Sequence, residues 1–280
     1  MPDAYGLFGY PVQHSWSPFI HGMFARQTAQ DMTYRLYECA PERFRRDVLN
    51  FFSDDGRGIN VTLPHKRAAA DLVNELTPRA QLADSVNTII RRDESLVGDN
   101  TDGAGLIADL VGNLGLKLLQ PRILLLGAGG AARGALGPLL DLKPRVLVIA
   151  NRSLERAREL AAEFADVGPV SGTDFSSVEQ QRFDLIINAT SASLKGDVPG
   201  ISTHLVDSMT TCYDMAYGVG ETAFTAWARK LGAGRTAQGW GMLVEQAAEA
   251  FHAWRGVRPD TKAVLDALRR RAAAKARTPS

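Results

Sequence analysis

The chain has 280 residues, 45% hydrophobic and 22% charged, which is enough apolar material for one large domain or two modest ones and excludes a disordered polymer. With 32 basic residues against 31 acidic ones the formal net charge is +1, so no global field gathers nucleic acid or an anionic membrane, and neither partner is expected. Only Cys39 and Cys212 occur, outside any C-x-x-C spacing, which excludes a disulfide framework or thiolate zinc site and fits a reducing compartment.

The segment Met1–Gly6 has no basic stretch followed by an apolar one, and no run approaches the roughly 18 apolar residues of a membrane span, so a cytoplasmic protein is expected. From Tyr5 to about Leu96, β-like runs (Tyr34–Cys39, Gly58–Thr62, Ser85–Ile90) alternate with helical patterns (Phe19–Gln27, Glu42–Phe52, Lys66–Leu76), predicting an α/β sheet. A helix over Gly103–Leu114 leads to the apolar run Arg122–Leu126, the pattern of a strand buried on both faces of a parallel sheet. Later strands are expected at Val146–Ala150, Phe183–Asn188 and Thr211–Met215, as in a doubly wound fold. A long helix over Met242–Trp254 returns to the first part of the chain. The Ala/Arg-rich end, Arg269–Ser280, reads as a fraying helix and solvated tail. The expectation is two domains with a cleft between them: a discontinuous α/β domain of residues 1–102 plus 240–280 for substrate, and a Rossmann domain of residues 103–239.

Directly after the apolar strand comes Gly127-Ala128-Gly129-Gly130-Ala131-Ala132, a G-x-G-x-x-A turn at the opening of a helix. Gly127 permits the tight turn, Gly129 lets backbone approach a pyrophosphate, Ala132 allows close helix packing, and the helix N-terminus offers free N–H donors. About twenty residues on, where a carboxylate would accept from the ribose 2′-hydroxyl of NAD, stand Asn151-Arg152-Ser153 and then Arg156. A guanidinium pairs with a 2′-phosphate and stacks on adenine, so NADP is expected over NAD. Ser153 also suits the cap of a helix over Leu154–Phe164, a role compatible with the first.

Four polar clusters lie at strand mouths or helix starts: His14 to Pro18, Asn60 to Lys66, Val86 to Thr88, and Asp99 to Gly103. Each has a capping reading: Ser17 before Pro18, Thr62 before a helix begun at Pro64, Thr101 or Asp102 before the next helix. Together they offer hydroxyls, amides, one lysine and one aspartate, which is what a polyhydroxy acid asks of a site. The five histidines show no H-E-x-x-H or other ligand spacing, and no metal is expected.

These motifs resemble those of the shikimate dehydrogenase family over nearly the whole chain. H-S-x-S-P matches His14–Pro18, N-V-T-x-P-x-K matches Asn60–Lys66, V-N-T matches Val86–Thr88 and D-N-T-D-G matches Asp99–Gly103. G-A-G-G-A-A then matches Gly127–Ala132, N-R-[TS] matches Asn151–Ser153, Y-D-M-x-Y matches Tyr213–Tyr217, and G-M-L-x-x-Q matches Gly241–Gln246. The resemblance implies reduction of 3-dehydroshikimate to shikimate with NADPH on the route to aromatic amino acids. It implies Ser15 and Ser17 at the substrate carboxylate with Tyr217 nearby, Thr62, Asn87, Asp102 and Gln246 at the ring hydroxyls, and Asn60 within the same substrate-binding set. Lys66 and Asp102 become the catalytic pair, and Thr190, Met215, Gly239 and Met242 approach the nicotinamide side of the cofactor.

The chemistry suits these types. Hydride transfer to a ketone leaves charge on oxygen, and a lysine ammonium, ordinarily titrating near ~10.4, is a ready proton donor at neutral pH. Asp102 remains open between proton carrier and substrate anchor, and Gln246 between ligand and packed helix-face residue. Several positions leave the usual family pattern: Tyr10, Trp16, Pro78, the pair Asp84-Ser85, and Gly218-Val219 after Tyr217. They leave quinate or an aminoshikimate open as substrate; a non-catalytic NADP sensor and a tetrahydrofolate-linked dehydrogenase are the alternatives from other classes. A monomer or homodimer is expected.

Overall fold

The computed structural model describes residues 1–178 and 181–277. The chain forms two compact units, Met1–Gly105 with Leu243–Arg271, and Leu106–Met242 with residues from Ala272 onward.

In chain order the first unit contains β1 (Asp3–Gly9), α1 (Ser17–Gln27), β2 (Met32–Glu38), α2 (Phe44–Ser53), β3 (Gly56–Val61), α3 (Lys66–Ala70), β4 (Glu75–Leu76), α4 (Pro78–Ala83), β5 (Thr88–Arg92) and β6 (Ser95–Asp99), followed by α5 (Asp102–Ala108). Among the described residues its sheet runs β2-β1-β3-β5-β6-β4. Strand β1 is parallel to β2 and β3, whereas β5 runs antiparallel to β3 and β6. The core beneath it gathers Phe8, Phe44, Val48, Phe51, Ile59 and Ile89. Strand β1 is not among the strands expected from the sequence. The structure explains Gly6: a Cβ there would overlap the Tyr37 ring, which packs across the strand.

The helix expected over Lys66–Leu76 is corrected to α3 alone. Asn74 donates its N–H to the Leu96 carbonyl (2.9 Å) and accepts the Leu96 N–H on Oδ1 (2.8 Å), and Glu75 then pairs with Val97. This side-chain mimic of a sheet ladder outcompetes the helix. The N-cap of α1 is Trp16, with Ser17 one residue inside, and α3 starts at Lys66 after His65; neither Ser17 nor Thr62 caps a helix. Their hydroxyls are thereby left for other partners. The helix expected over Gly103–Leu114 is α5 continued by a π-helical turn at Asp109–Asn113.

The second unit contains β7 (Arg122–Leu126), α6 (Gly130–Asp141), β8 (Val146–Asn151), α7 (Leu154–Glu163), β9 (Val170–Asp174), β10 (Leu185–Asn188), β11 (Thr211–Asp214), α8 (Ala223–Lys230) and β12 (Arg235–Gln238). Every pairing in its sheet is parallel, in the order β12-β11-β10-β7-β8-β9. Ile123 to Leu126 of the central strand are fully buried, each aliphatic side chain contributing about 1.5–3 kcal/mol on leaving water. The order reverses between β7 and β10, the switch point where doubly wound sheets open a crevice at their carboxyl ends. Ser153 caps α7 by accepting the Arg156 N–H, as its position suggested.

Helices α9 (Trp240–Arg255) and α10 (Thr261–Arg277) complete the described chain. Leu268 and Ala272 of α10 are buried, so the helix continues well past Arg269, and residues 278–280 of the expected tail lie outside the described residues. Cys39 and Cys212 are both buried and free, and burial pushes the Cys212 thiol up to about 12. Among the described residues no helix is long and apolar enough to cross a membrane.

Candidate active site

In the first unit, the antiparallel register of β3 on β5 sets Asn60 opposite Thr88, and that of β5 on β6 sets Thr88 opposite Asp99. The segments that follow or precede these residues, Thr62–Lys66, Asn87 and Asn100–Asp102, are therefore delivered to one edge of the sheet. There Lys66, the first residue of α3, donates from Nζ to Asp102 Oδ2 at 2.5 Å. Asp102 Oδ1 accepts from Asn87 Nδ2 (2.8 Å), which also reaches Thr101 Oγ1 (2.9 Å) and Gln246 Oε1 (3.4 Å). The Lys66 and Asp102 side chains keep 25% and 14% of their surface, so the pair is accessible while largely withdrawn from bulk water.

Residues within the quoted motifs that were not among the expected site residues build this constellation. Thr101 fixes Asn87 by donating its N–H (2.9 Å) and hydroxyl (3.2 Å) to Oδ1. Asn100 Oδ1 accepts the Asp102 N–H (3.1 Å), while its amide nitrogen holds Ser85. Asp99, 5% exposed at its side chain, is gripped by Arg79 Nε (2.7 Å) and Nη2 (2.5 Å) and by Thr77 Oγ1 (2.6 Å). Burial opposes its charge, but these donors outweigh it and hold the carboxyl below the usual carboxylate range. The acidic residue that opens D-N-T-D is thus a structural anchor, and the one that closes it faces the lysine. Polar residues within a motif that alternate with site residues were the available signal for both.

Ser15 and Ser17 come together at the start of α1, Ser15 Oγ donating to Ser17 Oγ at 3.1 Å. Asn60 spends its whole amide internally: Oδ1 accepts from Tyr34 (2.8 Å), and Nδ2 donates to the Asn87 carbonyl (3.3 Å) and Thr88 Oγ1 (3.1 Å). Thr62 is half-buried, its N–H on the Phe8 carbonyl (2.9 Å). Gln246, on α9, also packs closely on α5, where Gly105 leaves no room for a side chain.

In the second unit, Gly127 follows β7 at φ +106°, a conformation that L side chains rarely adopt, and faces Ala189 and Thr190 after β10. The switch point is therefore lined by the two predicted segments. A Cβ added at Gly129 or Gly130 would enter open space in front of the N-terminus of α6, where free N–H groups favour a phosphate. At the end of β8, Asn151 Nδ2 donates to the Ser153 carbonyl (3.1 Å). Arg152 and Arg156 are exposed, and among the described residues neither guanidinium has a carboxylate partner, whereas Arg133 is tied to Glu163. This glycine turn, helix terminus and pair of available arginines fit a phosphorylated dinucleotide.

Met215 and Gly239, which follow β11 and β12, lie together, and Met242 follows in α9. Gly239 packs on the Met215 carbonyl and donates its N–H to Ala216 (3.1 Å), while Met242 is buried. Tyr217 packs against Trp240 with the rings tilted by 44° and centroids 4.6 Å apart, and burial raises its hydroxyl pKa. Beneath this loop Asp214 accepts from Ser193 Oγ (2.5 Å) and Asn188 Nδ2 (3.1 Å); burial keeps its pKa raised in spite of them. Among the described residues no cluster of His, Cys, Asp and Glu could hold a metal.

Residues 7–89 match the family description "Shikimate dehydrogenase substrate binding domain", residues 109–196 "Shikimate / quinate 5-dehydrogenase", and residues 239–269 "Shikimate 5'-dehydrogenase C-terminal domain". The NADP(+)-dependent shikimate dehydrogenase of Aeromonas hydrophila is 55% identical over 269 residues, 96% of this chain and 98% of its own. Among solved structures, an Ael1 enzyme from Pseudomonas putida superposes with a TM-score of 0.91 at 45% identity, covering 95% of this chain and 98% of that one. Shikimate 5-dehydrogenase from Thermus thermophilus, in complex with NADP(H) and shikimate, gives 0.85 at 29% identity over 96% and 99% of the two chains. The Lys66–Asp102 pair and the glycine turn after β7 thus stand in a chain that belongs to the shikimate dehydrogenase family.

Proposed function

We propose that this protein reversibly reduces 3-dehydroshikimate to shikimate with NADPH, in aromatic amino acid biosynthesis. The observation that carries the reading is the 2.5 Å contact between Lys66 Nζ and Asp102, set among Asn87, Thr101 and Gln246. Near-full-length relatives of the same activity support it.

NADPH, when bound, supplies the hydride. The Gly127–Ala131 turn would hold its pyrophosphate, Asn151, Arg152, Ser153 and Arg156 its phosphorylated adenosine, and Thr190, Met215, Gly239 and Met242 its nicotinamide side. The rest is the work of this chain's side chains. Ser15 and Ser17 take the substrate carboxylate, with Tyr217 assigned to the same group. Thr62, Asn87, Asp102 and Gln246 orient the ring hydroxyls, while Asn60, its amide already committed, serves from behind through Asn87. Lys66 donates the proton to the developing alkoxide oxygen, and positioned general acids are worth about 10²- to 10⁴-fold. Asp102 holds that ammonium at the reacting oxygen and accepts from a ring hydroxyl. The domain assignment that goes with this reading is residues 1–102 plus 240–280 for substrate and 103–239 for NADP, in a cytoplasmic monomer or homodimer.

The test is reduction of NADP by shikimate, with quinate as alternative substrate and NAD as alternative cofactor. Turnover with shikimate and NADP, exceeding both controls, is expected; turnover with neither acid overturns the reading.

A further inference from the structure

The carboxyl ends of neighbouring strands in the second sheet fall into one row. Register places Leu126 of β7 beside Asn188 of β10, Asn188 beside Asp214 of β11, and Asp214 beside Gln238 of β12. Just past this row the chain enters the segments assigned above to the cofactor, at Gly127, Thr190, Met215 and Gly239. Asn188 and Asp214 are polar and fully buried, although the residues before them, Leu185 to Ile187 and Cys212, are core aliphatics and a thiol. Burying an amide and a carboxylate is costly unless hydrogen bonds replace water.

Apart from the bond between them, both side chains spend their hydrogen bonds on the segments that follow the strands. Asp214 Oδ1 accepts from Asn188 Nδ2 and from the Ala216 N–H, both at 3.1 Å, and Oδ2 accepts from Ser193 Oγ at 2.5 Å. Asn188 Nδ2 also donates to Ser193 Oγ (3.2 Å), while its Oδ1 accepts the N–H (3.1 Å) and the hydroxyl (2.7 Å) of Thr190. The Met215 N–H closes on the Asn188 carbonyl at 2.9 Å. Asp214 thus bonds the segment after β10 and the segment after β11 at once. A third segment is set by contact, because a Cβ added at Gly127 would lie 3.1 Å from Thr190 Cγ2. In a buried and satisfied network no member can shift without leaving another unpaired, so the segments keep one mutual arrangement.

We infer that Asp214 is a positioning residue for the nicotinamide end of the cofactor, acting on Met215 through the Ala216 N–H and on Thr190 through Asn188 and Ser193. This rests on the reading above that Thr190 and Met215 approach that end.

The experiment compares Ser193→Ala and Asp214→Ala with the starting protein, using NADP and 2′,5′-ADP, which carries the phosphorylated adenosine without the nicotinamide. Loss of the bonds that align the two segments should lower kcat/KM for NADP about five- to fiftyfold, more in Asp214→Ala than in Ser193→Ala. Inhibition by 2′,5′-ADP and calorimetric binding of shikimate to the cofactor-free protein should both stay within about twofold, since neither ligand uses the aligned segments. A kcat/KM for NADP unchanged in both variants, or 2′,5′-ADP weakened by the same factor as kcat/KM, would overturn the inference and leave the enzymatic reading standing. Starting protein that turns over neither shikimate nor quinate would instead remove both. Thermal unfolding identifies a variant that has lost its fold. Ser193 is half-buried, and its truncation leaves Asp214 the donors Asn188 and Ala216, so Ser193→Ala decides by the same criteria should Asp214→Ala not fold.

Discussion

Replacing Lys66 by alanine separates chemistry from binding. Lys66 is one side of an ion pair that is 25% and 14% exposed, and in the function proposed above its ammonium is the proton donor, a role worth about 10²–10⁴-fold. Asp102 retains its bond from Asn87 at 2.8 Å, so no buried carboxylate is stranded without a donor. Solvent reach to the pair limits the stability loss to about 1 kcal/mol, a few degrees in Tm at this size. Lys66→Ala should therefore lower kcat by about 100-fold or more while KM for shikimate and Tm change little. In the oxidation direction the lysine must first lose its own proton, so the rate of the unmodified enzyme should climb with pH and that climb should vanish in Lys66→Ala. Steady-state kinetics in both directions across pH, with thermal unfolding as a fold control, measure all of this. Retention of kcat within about tenfold, or an unaltered pH climb, would show that Lys66 is not the proton carrier.

Arg152→Ala combined with Arg156→Ala should raise KM for NADP about 10- to 100-fold, the worth of charge-assisted bonds to a 2′-phosphate, and leave KM for NAD nearly unchanged; equal losses for both cofactors would refute the clamp. Gly105→Ala places a Cβ 2.6 Å from the Gln246 backbone nitrogen, so it should cost about 1–3 kcal/mol in urea unfolding and raise KM for shikimate by displacing Gln246. A Gly105→Ala protein of unaltered stability and KM would show that α5 and α9 are not closely apposed there. His21 is fully buried, with neither ring nitrogen hydrogen-bonded, and desolvation lowers its pKa to about 3 from 6.5. Between those values the unfolded chain binds a proton that the folded one refuses, so His21 costs no stability above pH 6.5 and destabilises as pH falls towards 3. From pH 7 to 5 the loss should be about 2 kcal/mol, and His21→Phe, which keeps a flat ring against Tyr34, should lose that much less over the same interval; identical pH slopes would refute the assignment.

Local patterns carried much of this site. The apolar run of β7, the glycine turn that follows it, and Arg152 in place of a carboxylate are each readable because strand burial, left-handed backbone and phosphate charge act on a few adjacent residues. The paired serines, Lys66 and Asp102 were likewise nameable within their motifs. Other features resisted. Strand β1 was missed, its Gly6 explained only by Tyr37 packing over it, and Lys66–Leu76 looks like one helix until Asn74 is seen laddered to Leu96. Capping was a reasonable reading of Ser17 and Thr62, but the N-caps of the two helices are Trp16 and His65.

The amino-acid order by itself determined the α/β character of both halves, the doubly wound second sheet, the place of the glycine turn, and the inventory of groups able to do the chemistry, since each depends on periodicity or residue type within one short segment. Only the tertiary structure decided which of those groups meet. Asn60 reaches Thr88, and Lys66 reaches Asp102 across 36 positions, because antiparallel register between β3, β5 and β6 aligns their ends. Register is set by the sum of packing over the whole sheet, and no short stretch of residues carries it. The same reason explains why Asp99 became an anchor and Asp102 a partner for lysine.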